Sequence, residues 1–515
     1  MSKVFRLVFF VLVGLSGRIS AQPVNHVYYA NQYCTSPNVY DQSCIANAIS
    51  AAGNNSHIIL GPFTYNLSSE ITVSNLSNVI LEGAGAILKK DGEAFRCNSC
   101  TGVKMSGINF QTVTVPTVVT PSALPTASPN TVVVIDRWNT GNGYIPNDAN
   151  DGDLIPIPRP DHPDDIPGGT CVSHCLSKFQ AQVRFDTGVF FNGGSGLDIS
   201  GLSGRWFYIG LYDISNSIVH DNQVMGGKNF EGGIFCWKSV SSADKGCRYN
   251  LFTENIVSYT SFSGIAVGGG DHNIISNNSV RHGGESGIKV GQNGNQITTY
   301  STIVGNSVRQ MHFDCYDISG TYPHTATIQM NTALVGNVAD GCDSTAYSLD
   351  GKNISVSGNI AVNAGGTGFS SDLVDSSLVG NIAFNNNSLQ NPTGSHQIAI
   401  GVSVPSNNMA ISGNYADTNG NSGYPAYFAS GPNIISGNWA NNGQFFDAYK
   451  PTASALGNAF KGNFSNGNFL RDSSPETGAT ASGTPALRPS FSGTKTVGAC
   501  VFTIVSGIIT NITGC

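Results

Sequence analysis

Leu251 to Gly291 reads LFTENIVSYTSFSGIAVGGGDHNIISNNSVRHGGESGIKVG, and two phrases in it occur twice at the same offset. TENIV (Thr253–Val257) returns as SNNSV (Ser276–Val280), and SGIAVG (Ser263–Gly268) returns as SGIKVG (Ser286–Gly291). Working outward, the first phrase recurs as HDNQV, VGNSV, VGNVA, SGNIA, VGNIA, SGNYA, SGNWA and KGNFS. Its asparagines are Asn222, Asn255, Asn278, Asn306, Asn337, Asn359, Asn381, Asn414, Asn438 and Asn463. The unit is about 22 to 25 residues with occasional insertions, the mark of a repeat architecture. The second phrase alternates apolar and polar positions, so each unit holds short strands separated by turns.

Such a unit cannot bury its own apolar side chains. Stacked coils can, each adding its strands to parallel sheets with about 4.8 Å between neighbours. The recurring Asn suits a tight corner, where its amide tolerates a left-handed backbone and can bond the equivalent Asn one coil away. Leucine-rich repeats share the period but need Leu at fixed offsets, and Leu is too sparse here. The expected fold class is all-β, a parallel β-solenoid.

Composition agrees. Of 515 residues, 62 are Gly and only 11% are charged, which excludes coiled coils and ordinary helical bundles. A net charge of −7 gives no reason to expect nucleic acid as a partner. Lys3 and Arg6 before the apolar run Leu7–Leu15, closing on Ile19-Ser20-Ala21, read as a secretory signal at 1–21. No apolar run reaches the ~18 residues of a membrane span. The twelve cysteines fall into local pairs: Cys34 with Cys44, Cys97 with Cys100, Cys171 with Cys175, Cys236 with Cys247, Cys315 with Cys342, and Cys500 with Cys515. In a secreted chain these read as disulfides. Zinc is the weaker reading, since Cys97-x-x-Cys100 and Cys171-Val-Ser-His174-Cys175 lie far apart and would leave eight cysteines unexplained.

From about 30 to 470 the sequence resembles the right-handed parallel β-helix family of pectate lyases, polygalacturonases and related polysaccharide-cleaving proteins. CIANAISAA (Cys44–Ala52) resembles its N-terminal capping helix, and HIILGPFTYNLSSEITVSNLSNVILEGAGAILKK (His57–Lys90) its opening coils. The β-helix domain is expected over 22–472. A lateral insertion at about 112–169 is rich in Pro, Thr and Asp. Its Asp148, Asp151, Asp153, Asp161, Asp164 and Asp165 could collect calcium, but their spacing fits no calcium loop and a solvated acidic loop is the simpler reading; no metal or other cofactor is assigned. The segment 473–515 ends in CVFTIVSGIITNITGC, read as a β-hairpin turning at Ser506-Gly507 and closed by Cys500 and Cys515.

Alternation puts Ile265, Val267, Ile288, Val290, Tyr316 and Ile318 inside, and Ala266, Lys289 and Asp317 outside on successive rungs. Around them lies the densest group of ionisable residues in the chain: Arg281, His282 and Glu285 before one strand, Arg309, His312 and Asp314 before the next, Asp271 and His272 after the preceding one. Lys289, His282, Glu285 and Asp317 are the candidate catalytic set, with Lys289 as an exposed strand residue of little weight in packing. Trp237, Lys238, Arg281, Asp271, His272 and His312 are the candidate substrate contacts, and Trp206, Tyr208 and Tyr212 could extend a sugar-stacking platform of which Trp237 is the best exposed member. The bland alternative is a surface ion pair between Lys289 and Asp317 with idle loop histidines.

The polygalacturonase motif set is absent: Lys289 stands where its Arg would be, Gly291 at its Lys, Ser263 at its His, and only Glu231 lies near its aspartates. GESGIKV with VRHGG resembles the Lys and Arg-His-Gly elements of alginate-type and chondroitin-type β-helix lyases, in reversed order. The resemblance implies a secreted protein acting on an extracellular polysaccharide, by β-elimination of a uronate polymer ahead of glycoside hydrolysis. The alternative is a non-catalytic glycan-binding or adhesin-like rod.

Overall fold

The computed structural model describes residues 26–113, 187–227 and, with short interruptions, 232–441, together with strand residues 134–135, 153–154, 157–158, 179–180, 459–461, 464–465, 493–497, 500–505 and 508–513. The leader at 1–21, the side chains of the six loop aspartates, Cys171, Cys175, Glu231, His312, Asn463 and Cys515 lie outside the described residues.

Three long parallel sheets of 15, 15 and 14 strands make a β-helix. One coil shows the order: Leu251–Thr253 in the first sheet, Ile256–Ser258 in the third, Ile265–Gly268 in the second, then Ile274–Ser276 back in the first. Stacking is in register, as in the second-sheet column Ile234, Ile265, Ile288, Tyr316, Tyr347, Phe369. Its members are wholly buried. Tyr316, Tyr347 and Phe369 stack ring on ring at 4.7 and 4.6 Å. The phenols of Tyr316 and Tyr347 donate to the carbonyls of Asn306 (2.9 Å) and Asn337 (2.8 Å), so both hydroxyls are satisfied inside the core.

The asparagine ladder runs from Asn222 to Asn438. At Asn278, Nδ2 donates to Asn306 Oδ1 (2.9 Å) and to the Phe252 carbonyl (2.9 Å), while its N–H also donates to Asn306 Oδ1 (2.9 Å). The left-handed corner expected of these asparagines belongs instead to the residue before each. Asp221, Glu254, Asn277, Gly305, Gly336 and Gly358 all have positive φ, and Asn222, Asn255, Asn278, Asn306, Asn337 and Asn359 do not. The corner is thus divided between a residue that bends the chain and an Asn whose amide turns inward to bond its neighbours. A second, unforeseen ladder lines the turn between second and first sheets, where Asn250 Nδ2 meets Asn273 Oδ1 (3.2 Å) and Asn250 Oδ1 accepts from Ser217 N–H (3.1 Å).

The helix Gln42–Ala52 lies against the opening strands His26–Tyr29 and Ser56–Ile59, with Cys44, Ile45, Ala48 and Ile49 buried. Asp41 caps it, accepting from Ser43 N–H at 2.8 Å. Gly92–Thr101 pairs directly with Thr187–Ser195, and Lys104–Ser106 with Asp198–Ser200, so coils separated in sequence by 114–186 stack as neighbours. Disulfides join Cys34–Cys44, Cys97–Cys100, Cys236–Cys247 and Cys315–Cys342, which supports an oxidising compartment. Near the C-terminus the expected hairpin, Cys500–Val505 with Ile508–Thr513, carries a third antiparallel strand, Gly493–Val497. Among the described residues no helix is long and apolar enough to cross a membrane.

Candidate functional site

The outward row of the second sheet reads Phe190, Gly210, Phe235, Ala266, Lys289, Asp317, Ser348, Ser370. It turns from aromatic to charged at Lys289. The chain enters each strand from a turn that packs very closely: a Cβ on Gly287 would lie 2.1 Å from Val308 Cγ1 and 2.7 Å from the Cys315 carbonyl. Only glycine fits there, and the recurring Ser-Gly phrase is its trace in the sequence. That close turn brings Glu285 back over its own strand, where Ser263 Oγ donates to Glu285 Oε2 (2.7 Å).

Lys289 Nζ lies 3.1 Å from Asp317 Oδ2 and 3.4 Å from Glu285 Oε1, over the Phe262 ring at 5.7 Å. Asp314, at the turn entering the next strand, accepts from Thr345 N–H at 2.9 Å. Glu285, Asp314 and Asp317 are only 4, 5 and 9% exposed. Burial first, then the charge of Asp317, pushes the Asp314 carboxyl up to about 7, against the hydrogen bonds from Thr345 and Ser344 and the charge of Lys289. For Lys289, burial alone would lower the pKa. The charges of Glu285 and Asp317, and hydrogen bonds to both, outweigh it and hold the ammonium above lysine's ordinary range. Lys289 is therefore a fixed cation rather than a base, and its side chain, 21% exposed, is not the freely exposed residue expected from the sequence.

Of the sequence candidates, the structure brings together Lys289, Glu285 and Asp317. His282 stands at the same entering turn, 7% exposed, its ring stacked on Tyr259 at 4.8 Å. Asp271 and His272 lie at the opposite end of the strands, on the turn leaving the second sheet. There His272 is sandwiched between Tyr249 and Tyr300 at 4.8 and 4.9 Å, and Asp271 faces Arg248 at 3.8 Å. Arg281 projects from the third sheet, around the corner from Lys289. Trp237 does point outward, but it is 6% exposed because Phe190, Tyr208, Phe235 and Ala266 pack into one apolar cluster with it, and Tyr212 joins from the edge. Trp237 is thus no open stacking platform. Lys238 follows it, partly buried.

Asp314 was left out of the candidate catalytic set. Its column reads Ser263, Ser286, Asp314, Thr345, and a carboxyl in a row of hydroxyls was the available signal. Among the described residues no group of three or more His, Cys, Asp or Glu is arranged to hold a metal ion.

No protein-family model matches the chain, and no curated protein sequence matches it. Among solved structures it is similar to the receptor-binding domain of the siphovirus 9NA tailspike, at 12% identity and a TM-score of 0.56, covering 86% of this chain and 77% of that one. It is also similar to the receptor-binding protein of bacteriophage Det7, a podoviral tailspike in a myovirus, at 15% identity and a TM-score of 0.50, covering 90% and 76%. The fold is the right-handed parallel β-helix.

Proposed function

We propose that the chain acts on an extracellular glycan at the outer face of its second sheet, and that the reaction is hydrolysis of a glycosidic bond. The observation that carries this reading is the buried Asp314 carboxyl set beside Asp317, with Asp317 pinned by Lys289. Asp314, protonated near neutral pH, donates to the leaving oxygen as the C–O bond breaks. Asp317, oriented by the ammonium, takes a proton from the water whose oxygen bonds to the sugar carbon. With Asp314 protonated, Glu285 and Asp317 still outnumber the one ammonium, which favours the positive charge that develops on the sugar and opposes a uronate substrate. That electrostatic balance, and a lysine held protonated, favour hydrolysis of a neutral glycan over β-elimination.

The test is incubation of the mature protein with neutral and uronate polymers. New reducing ends from a neutral polymer, lost in Asp314→Asn, are expected; ultraviolet absorbance of an unsaturated uronate product would instead mark a lyase and sink the hydrolytic reading. A non-catalytic glycan-binding role is the second reading, favoured by how little of the three carboxyls reaches solvent. The two similar tailspike structures are described as receptor-binding proteins. Saturable binding with no new reducing ends would select it.

A further inference from the structure

The third sheet carries a separate feature. Its inward column Val224, Val257, Val280 is buried, so alternation turns Arg205, Met225, Ser258, Arg281 and Arg309 outward, in register on successive coils. A groove of about 750 Å³ runs along this face, with Arg205 and Arg281 on its walls and Asn109, Gln111 and Gln223 adding amides. Arg205, Arg281 and Arg309 are all exposed. Among the described residues no carboxylate pairs with any of them, although acidic residues outnumber basic ones 32 to 25 in the chain. Arg281 and Arg309 are direct register partners, a like-charge contact that costs stability unless an anion lies across it. The row stops at Asp340, in strand register with Arg309 on the next coil but bonded to Asn363, whose Nδ2 donates to its Oδ1 (2.9 Å).

We propose that this groove binds a linear anionic glycan, carrying carboxylate or sulfate groups, laid along the solenoid axis. Arg205 and Arg281 stand three rungs apart, ~14 Å, and Arg309 one rung further, ~5 Å, so guanidiniums recur on the scale of sugar residues in an extended chain. Each presents a planar fork suited to carboxylate or sulfate oxygens. Asn109, Gln111 and Gln223 supply the amides that sugar hydroxyls require. Among the described residues that line it, the groove offers no open aromatic surface for stacked bases, since Trp206 is 6% exposed, so a glycan fits better than a nucleic acid. The site is distinct from the Lys289 face and does not depend on hydrolysis there.

The experiment measures equilibrium binding of the full chain in an Asp314→Asn background, in which turnover is suppressed. The probes are polygalacturonate, its fully methyl-esterified form, chondroitin sulfate, dextran and single-stranded DNA. Binding of polygalacturonate, chondroitin sulfate or both is expected, and which one is held separates carboxylate from sulfate recognition. Relative to the better ligand, dextran should bind at least about tenfold more weakly, and so should the Arg205→Gln/Arg281→Gln/Arg309→Gln variant. Polygalacturonate, if it is held, should lose binding on esterification, a comparison that needs no variant. The proposal is overturned if neither anionic glycan binds, if dextran or the esterified polymer binds as tightly as the better anionic glycan and loses that binding in the triple variant, if a folded triple variant binds the anionic glycan like its parent, or if DNA binds more tightly than either glycan.

Discussion

Asp314 differs from its equivalents one coil on either side, Ser286 and Thr345, by a carboxyl, and that difference makes its proton a folding ligand. With a folded pKa of about 7, the native state keeps a proton that the unfolded chain, with an ordinary carboxyl near ~3.9, releases. The stability this confers is fully present below about pH 4, falls as pH climbs, and is gone above about pH 7. The raised pKa of Lys289 keeps its own contribution constant over that window, with loss only in alkali. Chemical denaturation across this range should therefore show a falling slope that Asp314→Asn flattens, and kcat/KM should fall above about pH 7. The same variant should lose about 10²- to 10⁴-fold in activity. A pH-independent stability in wild type would remove Asp314 from the mechanism. Lys289→Ala leaves Glu285 and Asp317 facing each other without their cation, so denaturation should show a loss of about 3 kcal/mol rather than the small change of a surface residue.

Among the turns, Gly336 and Asn337 are adjacent yet do opposite work. Gly336 takes the left-handed corner at φ 63, and a Cβ there would meet nothing within 4 Å. Asn337 donates to Asn359 Oδ1 and to the Ile303 carbonyl, and its own Oδ1 accepts both from Asn306 N–H and from Asn306 Nδ2. Gly336→Asn should therefore change the unfolding free energy from urea denaturation by no more than ~0.5 kcal/mol, since Asn adopts the left-handed region more readily than most residues. Asn337→Ala, which strands partners on two coils in a buried column, should cost about 3 kcal/mol. Equal effects would mean that the ladder is a by-product of the corner. The Gly-Asn phrase announced this element plainly because its period is written in consecutive residues. Which of the two residues bends the chain was not legible, since either can occupy the left-handed region.

Across the whole molecule, what could be read from the sequence was what stacking keeps local. Lys289 and Asp317 were found because neighbouring coils align phrase on phrase. The row from Arg205 to Arg309 was not, because Arg205 follows Leu202 where the later coils carry the ladder asparagine, and Asn109 and Gln111 of its groove come from a coil that precedes 114–186. Trp237 was misjudged because alternation gives the direction of a side chain, not what lies over it. The same locality bears on the described disulfides, which span 3 to 27 residues and clamp one coil or two neighbouring coils rather than the rod. Cys315 follows Asp314 directly, and its partner Cys342 belongs to the next coil, so this bridge holds the turn that carries the proposed acid. In a solenoid each coil leans only on its neighbours, and the ~3 kcal/mol typical of such a loop closure is lost there rather than throughout. The Cys315→Ser/Cys342→Ser variant should thus retain the β-dominated circular dichroism of the parent while its glycan hydrolysis falls steeply. Parent-like activity in that variant would show that Asp314 is positioned without the bridge, by its hydrogen bonds from Thr345 and Ser344.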